Sequence, residues 1–172
     1  MMVKRILIAL SGALVATAAG VSPSASQTRA DQIPLGQSAA SGAVCQAVRD
    51  YDDPVVQGAG RRAWNIRCRG WEGSLGRLYT FENGDAGSWE GALAERAQCA
   101  DAKSETVAGL GGVTRRACRA ARTNAPYLAY DTRRRGGVYT AEGPAQLADV
   151  LETGLKVVSG AMKAPKANDV QT

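Results

Sequence analysis

Four cysteines, Cys45, Cys68, Cys99 and Cys118, constrain this chain more than any other feature, because they stand in a sequence of 172 residues that contains no histidine. Two readings compete for such a set. A structural zinc site favours cysteines roughly two to four residues apart, usually helped by histidine. Here the spacings are 23, 31 and 19, and imidazole is absent. Disulfides fit better, provided that the chain reaches an oxidising compartment, and four cysteines then allow about three pairings.

The amino terminus supplies the export signal. Lys4 and Arg5 form a short positive segment, Ile6 to Gly20 is an apolar stretch interrupted only by small residues, and Ser24-Ala25-Ser26 offers the small side chains that a signal peptidase reads. An uncleaved membrane anchor would need about 20 apolar residues; this run is shorter, rich in Ala and Gly, and followed by Ser, Pro and Thr. Residues 1–26 are therefore expected to be a signal peptide. The mature protein is expected to be periplasmic or secreted, without a transmembrane segment, and no cysteine follows the apolar run closely enough to be lipidated. What remains is the size of one domain. The formal charge of +5 includes Lys4 and Arg5, so the mature chain is only mildly basic, which by itself selects no partner.

Composition divides the rest. Residues 27–42 repeat Ser, Ala and Gly and read as a flexible leader, while 161–172, with Lys163, Pro165 and Lys166, read as a tail. The folded domain is expected over 43–160. Within it Trp64, Ile66 and Cys68 alternate with Asn65 and Arg67, the period of a half-buried strand. Leu78 to Glu82 continues as a second strand after a turn at Gly70-Trp71-Glu72-Gly73. Ser88 can cap a helix through its hydroxyl, with Trp89, Leu93 and Ala97 on one face. Tyr127–Tyr130 and Val138–Thr140 read as a hairpin around Arg133-Arg134-Arg135-Gly136-Gly137, whose glycines suit the positive φ of tight turns. Pro144 suits the first position of a final helix, along which Leu147, Val150, Leu151, Leu155 and Val158 form one apolar stripe. The expected class is α+β, a small antiparallel sheet with two packed helices.

Two stretches look alike. Gly76, Tyr79, Thr80 and Glu82 recur at a constant offset as Gly136, Tyr139, Thr140 and Glu142. Each stretch follows two cysteines and precedes a helical pattern, as an internal duplication would arrange them. A duplication selects one pairing, Cys45 with Cys68 and Cys99 with Cys118, one staple per half.

The lack of histidine removes Ser–His and Cys–His nucleophile activation and imidazole acid–base catalysis, and paired cysteines leave no thiol nucleophile. Gly109-Leu110-Gly111-Gly112 lacks the Lys-Ser/Thr of a phosphate-binding loop. No cofactor or metal is called for. Paired carboxylates remain as a catalytic option, with Asp52, Asp53, Glu72, Glu82, Asp85 and Glu142 as candidates. Recurrence of Glu82 and Glu142 favours a structural role, such as pairing with an arginine. Arg115, Arg116, Arg119 and Arg122 lie along one segment and Arg133, Arg134 and Arg135 at a hairpin tip, an arrangement that suits an anion- or partner-binding face. The competing reading is that arginines on strands and turns confer solubility and discourage edge pairing. Trp64, Trp71 and Trp89 suit a stacking platform, but with one phenylalanine available at least two of them are expected in the core.

The cysteine at 68 and the segment Gly137-Val138-Tyr139-Thr140-Ala141-Glu142-Gly143 resemble the amino-terminal part of exported alphaproteobacterial proteins that continue into tetratricopeptide repeats and a caspase-like CHAT domain. The similarity covers about 36–158. No tetratricopeptide period is visible, and the family's catalytic His and Cys have no counterpart here, so the resemblance implies an accessory or recognition domain rather than a peptidase. The expected function is that of a non-catalytic envelope protein whose partner is another envelope protein or an anionic polymer, with no specific nucleic acid. The alternative is a carboxylate-dependent hydrolase of cell-wall glycan.

Overall fold

The structure is a computed structural model that describes residues 31–99 and 103–166. The expected signal peptide, the start of the leader and the end of the tail lie outside the described residues. Those residues form nine strands and two helices: β1 (Gln32–Gln37), β2 (Val44–Asp50), β3 (Arg61–Cys68), β4 (Gly76–Phe81), α1 (Gly87–Arg96), β5 (Ala97–Gln98), β6 (Ser104–Thr106), β7 (Val113–Ala120), β8 (Pro126–Arg134), β9 (Gly137–Pro144) and α2 (Ala148–Val158). The α+β class stands, but the sheet is not small. One antiparallel sheet runs β1-β2-β3-β4-β9-β8-β7-β5, with β6 also on β7.

The strand signals in the sequence are realised where alternation is clean. In β3, Ala63, Trp64, Ile66 and Cys68 are buried and Arg67 is exposed. The β8–β9 hairpin closes through Arg135 and Gly136, both at positive φ (50° and 80°), with Arg134 opposite Gly137. Those angles are the demand of a two-residue type I′ turn.

The leader reading fails from residue 32 onward. Gln32–Gln37 is the edge strand β1, paired to β2 with an irregularity between Pro34 and Gly36. An edge strand needs only one ladder of backbone hydrogen bonds, and Leu35, 3% exposed, anchors it to the core. Ile33 packs against the same cluster, but two alternating apolar residues among Gln, Pro and Gly give little periodicity to read.

The helix starts also differ. Ser88 lies inside α1 and does not cap it; its hydroxyl donates to the Val55 carbonyl at 3.3 Å and accepts from Arg61 at 3.1 Å. Pro144 ends β9, and a 3-10 turn (Ala145–Leu147) intervenes before α2. The apolar stripe is otherwise as expected, with Leu147, Val150, Leu151 and Leu155 buried and Val158 packed against the same cluster.

The helices lie on opposite faces. α2 packs with Ile66, Leu78, Tyr130 and Ala141 in one cluster; Trp89 and Leu93 of α1 pack with Ala63, Tyr79, Phe81 and Val138 in the other. Each such aliphatic side chain stabilises by about 1.5–3 kcal/mol on burial. Contacts of α2 with β9, β4 and β1 require the sheet to curl around it. The helix approaches closely at Gly154, where a Cβ would lie 2.8 Å from Leu78 Cδ1.

This arrangement excludes a two-fold axis that exchanges the two matched stretches. Strands β4 and β9 are antiparallel neighbours in which Tyr79 opposes Thr140 and Thr80 opposes Tyr139. Opposed residues share a face and successive ones alternate, so Tyr79 joins the α1 cluster and Tyr139 the α2 cluster. Exchanging the matched residues would swap the strand, its direction and its face together. That is an inversion, which no rotation of an L-residue chain performs. The two stretches share local sequence, and each tyrosine faces the helix that follows its strand, but no two-fold of the sheet relates them.

The disulfides themselves pair as expected. Cys45–Cys68 joins directly opposed positions of β2 and β3, and Cys99–Cys118 ties the segment after β5 to β7. Each closes a loop of roughly 20 residues, worth about 3 kcal/mol in the chain-entropy model. Two disulfides are the mark of an oxidising compartment. No helix among the described residues is long and apolar enough to cross a membrane.

Candidate functional site

Beneath α1 the sheet holds a buried polar network centred on Glu142, which is fully buried. Trp89 Nε1 donates to Oε2 at 2.7 Å, Arg96 donates Nε to Oε1 at 2.6 Å and Nη2 to Oε2 at 2.9 Å, and the Tyr127 hydroxyl donates to Oε1 at 3.1 Å. Beside it Asp53 Oδ2 lies 3.6 Å from Arg77 Nε and accepts from the Tyr79 hydroxyl at 2.9 Å, while Asp53 Oδ1 accepts from Val55 N and caps the 3-10 turn. Burial, then the negative charge of Glu142, pushes the Tyr127 hydroxyl well above its usual range, and burial does the same to Tyr79. Arg96 is pulled down by burial, but its bonds to Glu142 outweigh this and the net direction is upward. Tyr79, Tyr127 and Arg96 therefore all keep their protons near neutrality.

The candidate carboxylates therefore do not converge on a cleft. Glu142 has both oxygens occupied. Glu82 is on the surface with Arg62, at 3.1 Å. Glu142 opposes Arg77 at the start of β4, and Glu82 follows that strand's end, on the order of 15 Å further along at the usual strand rise. Both glutamates pair with an arginine, as their recurrence suggested. Asp85 pairs with Arg61 at 3.6 Å, and Asp52 and Glu72 are exposed.

The arginines expected to form one face are dispersed. Arg115 and Arg116 are successive strand residues on opposite faces. The first pairs with Glu105 at 3.1 Å, the second with Glu90 at 2.9 Å while lying over the Trp89 ring. Arg119 opposes Pro126 at the far end of β8 from Arg133, roughly 20 Å away along the strand, and Arg122 is exposed in the β7–β8 turn. Arg133, Arg134 and Arg135 share the β8–β9 tip, although Arg133 and Arg134, as successive strand residues, leave it on opposite faces. Among the described residues none of the three has an acidic partner. With Gly84, Gly136 and Gly137 they line a depression of about 200 Å³. Arg134 donates to the Gly111 carbonyl at 2.9 Å, while its buried Nε has no partner.

No family model, curated protein or solved structure matches this chain.

The tryptophans divide as their number required: Trp64 and Trp89 are buried, and Trp71 is half-buried. Sequence reading passed over what surrounds Trp71. At the end of β2 and β3 it lines a groove of about 430 Å³ with Arg67, Arg69, Gln46, Pro34 and the Cys45–Cys68 disulfide. The available signal is Arg67-Cys68-Arg69-Gly70-Trp71 itself, two cations and an indole at alternate positions, but Arg67 falls in the expected strand and Trp71 in the expected turn, so the three do not read as one site.

Proposed function

We propose that this protein is a non-catalytic recognition module of an oxidising, extracytoplasmic compartment, which docks onto an anionic partner or polymer through the β8–β9 hairpin. One observation carries the reading: Arg133 and Arg134 at the end of β8 and Arg135 in the two-residue turn have no acidic partner among the described residues, and with Gly84, Gly136 and Gly137 they line a depression of about 200 Å³. A non-glycine residue at positive φ costs on the order of 1 kcal/mol, yet an arginine occupies the tip. Guanidinium groups offer forked donors that match carboxylate, sulfate and phosphate oxygens. An accessory role also accords with the resemblance to the leading domain of tetratricopeptide and CHAT proteins. The saturated hydrogen bonding of Glu142 and the separation of Glu82 from it count against glycan hydrolysis, which needs carboxyl groups within about 10 Å of one another.

Heparin chromatography tests the reading. Retention is expected to fall steeply with salt, as it does when several cations displace counterions from a polyanion, and to collapse in Arg133→Ala/Arg134→Ala/Arg135→Ala. Unchanged retention in that variant, or turnover of a glycan that stops on Glu142→Gln in protein still folded, overturns it.

A further inference from the structure

The groove at the opposite end of the sheet has its own chemistry. Its walls come from β1, β2, β3 and the turn after β3, and three restraints hold them. The Cys45–Cys68 disulfide joins β2 to β3 at the groove itself. Arg69 N donates to the Val44 carbonyl at 2.9 Å, and Trp71 N to the Cys68 carbonyl at 3.2 Å. That last bond closes a four-residue turn with Gly70 at φ 80° in its third position, the sign that a type II turn demands there. Trp71 meanwhile packs against the core that α2 covers. Its indole is thus set in place before any ligand arrives, so binding costs little ordering.

Arg67 and Arg69 are exposed and, among the described residues, have neither an acidic partner nor a side-chain hydrogen bond. Elsewhere in this sheet arginines facing acids are paired at 2.6–3.6 Å. Two free guanidiniums beside a fixed indole define a ligand with a negative group and a flat apolar face. The Gln46 side chain on the same wall adds an amide donor and acceptor for hydroxyls. The volume lies within the range of small-ligand sites, but the walls offer only Pro34 and Val44 as aliphatic contacts, too little for an acyl chain.

We propose that this groove binds an acidic saccharide, the C–H face of one ring lying on Trp71 and its carboxylate held by Arg67 and Arg69. The site is independent of the hairpin: its ligand is a discrete sugar acid, and its cations are different ones.

Tryptophan fluorescence tests it, because Trp71 is half-buried while Trp64 and Trp89 are enclosed. A galacturonic acid trisaccharide, added to the disulfide-bonded protein, should give a saturable change that a neutral galactose trisaccharide does not. Affinity, followed calorimetrically where Trp71 is absent, should fall about tenfold or more in Arg67→Gln/Arg69→Gln and in Trp71→Ala, the scale of a lost charge-assisted pair or stacked ring. Arg67→Lys/Arg69→Lys, which keeps charge but loses the fork, should fall between. Arg133→Gln/Arg135→Gln should leave the titration unchanged while weakening heparin retention, so that the two sites fail separately. Equal binding of the neutral sugar, tighter binding of adenosine monophosphate, no saturable signal, or full affinity in Arg67→Gln/Arg69→Gln with native circular dichroism overturns the proposal.

Discussion

Arg96, the last residue of α1, grips both carboxylate oxygens of Glu142 on β9, at 2.6 and 2.9 Å. The pair fastens a helix whose own apolar face is narrow, with Trp89 and Leu93 as its buried residues, to the centre of the sheet. Trp89, from the same helix, takes a further lone pair of the same carboxylate. One acid thereby fixes both ends of the helix face.

Removing that acid leaves Arg96 facing a buried site without its counter-charge. Glu142→Gln is expected to destabilise the fold by about 2–4 kcal/mol, the range for breaking a buried, hydrogen-bonded pair, allowing for the partial exposure of Arg96. A double-mutant cycle with Arg96→Met, read by urea denaturation, should return a coupling of at least about 1 kcal/mol. Additive single effects would mean that the contact contributes nothing.

Alkaline pH offers a second handle. Tyr79, Tyr127 and Tyr130 all have hydroxyls pushed above the ordinary value of 10.0 by burial, the last also by Glu152. The folded state holds these protons more tightly than the unfolded chain. Their contribution is therefore complete below about pH 10 and is lost as pH rises beyond it. Thermal melts between about pH 8 and pH 11 should show stability falling above pH 10. Spectrophotometric titration should show these tyrosines ionising together with unfolding, and Tyr127→Phe should flatten the decline. A chain equally stable across that range would contradict the assignment of buried, neutral phenols.

The crosslinks stabilise by restricting the unfolded chain. Replacing Cys45 and Cys68 together by alanine, or Cys99 and Cys118 together, should each lower stability by about 3 kcal/mol, given loops closed over 23 and 19 residues. Non-reducing peptide mapping should recover those two linkages, and a crosslink between Cys68 and Cys99 would refute the topology.

Close approach of β4 to β9 sets a steric prediction. A Cβ on Gly76 would lie 2.6 Å from the Glu142 carbonyl oxygen, backbone that cannot move without disturbing the pairing. Gly76→Ala should cost about 1–3 kcal/mol by overpacking, measured by chemical denaturation. Gly91→Ala, where the Cβ meets nothing within 4 Å in the middle of α1, should instead stabilise by up to about 1 kcal/mol.

Local sequence by itself determined the strand at Trp64–Cys68, the hairpin around Arg135-Gly136, the apolar stripe of α2 and the presence of crosslinks, because each is encoded by side-chain period, turn stereochemistry or residue chemistry within a few positions. The cysteine pairing that a duplication predicts is present, although no two-fold of the sheet relates the two stretches. Tertiary structure alone decided the rest. Periodicity states which residues of a strand share a side, but only strand pairing decides which strands adjoin and which side meets which helix. For that reason Tyr79 and Tyr139, matched in sequence, ended on opposite faces, and Arg115 and Arg116, adjacent in sequence, were drawn to different acids. The groove around Trp71 was equally hidden: its walls come from four segments that meet only once β1, β2 and β3 have aligned.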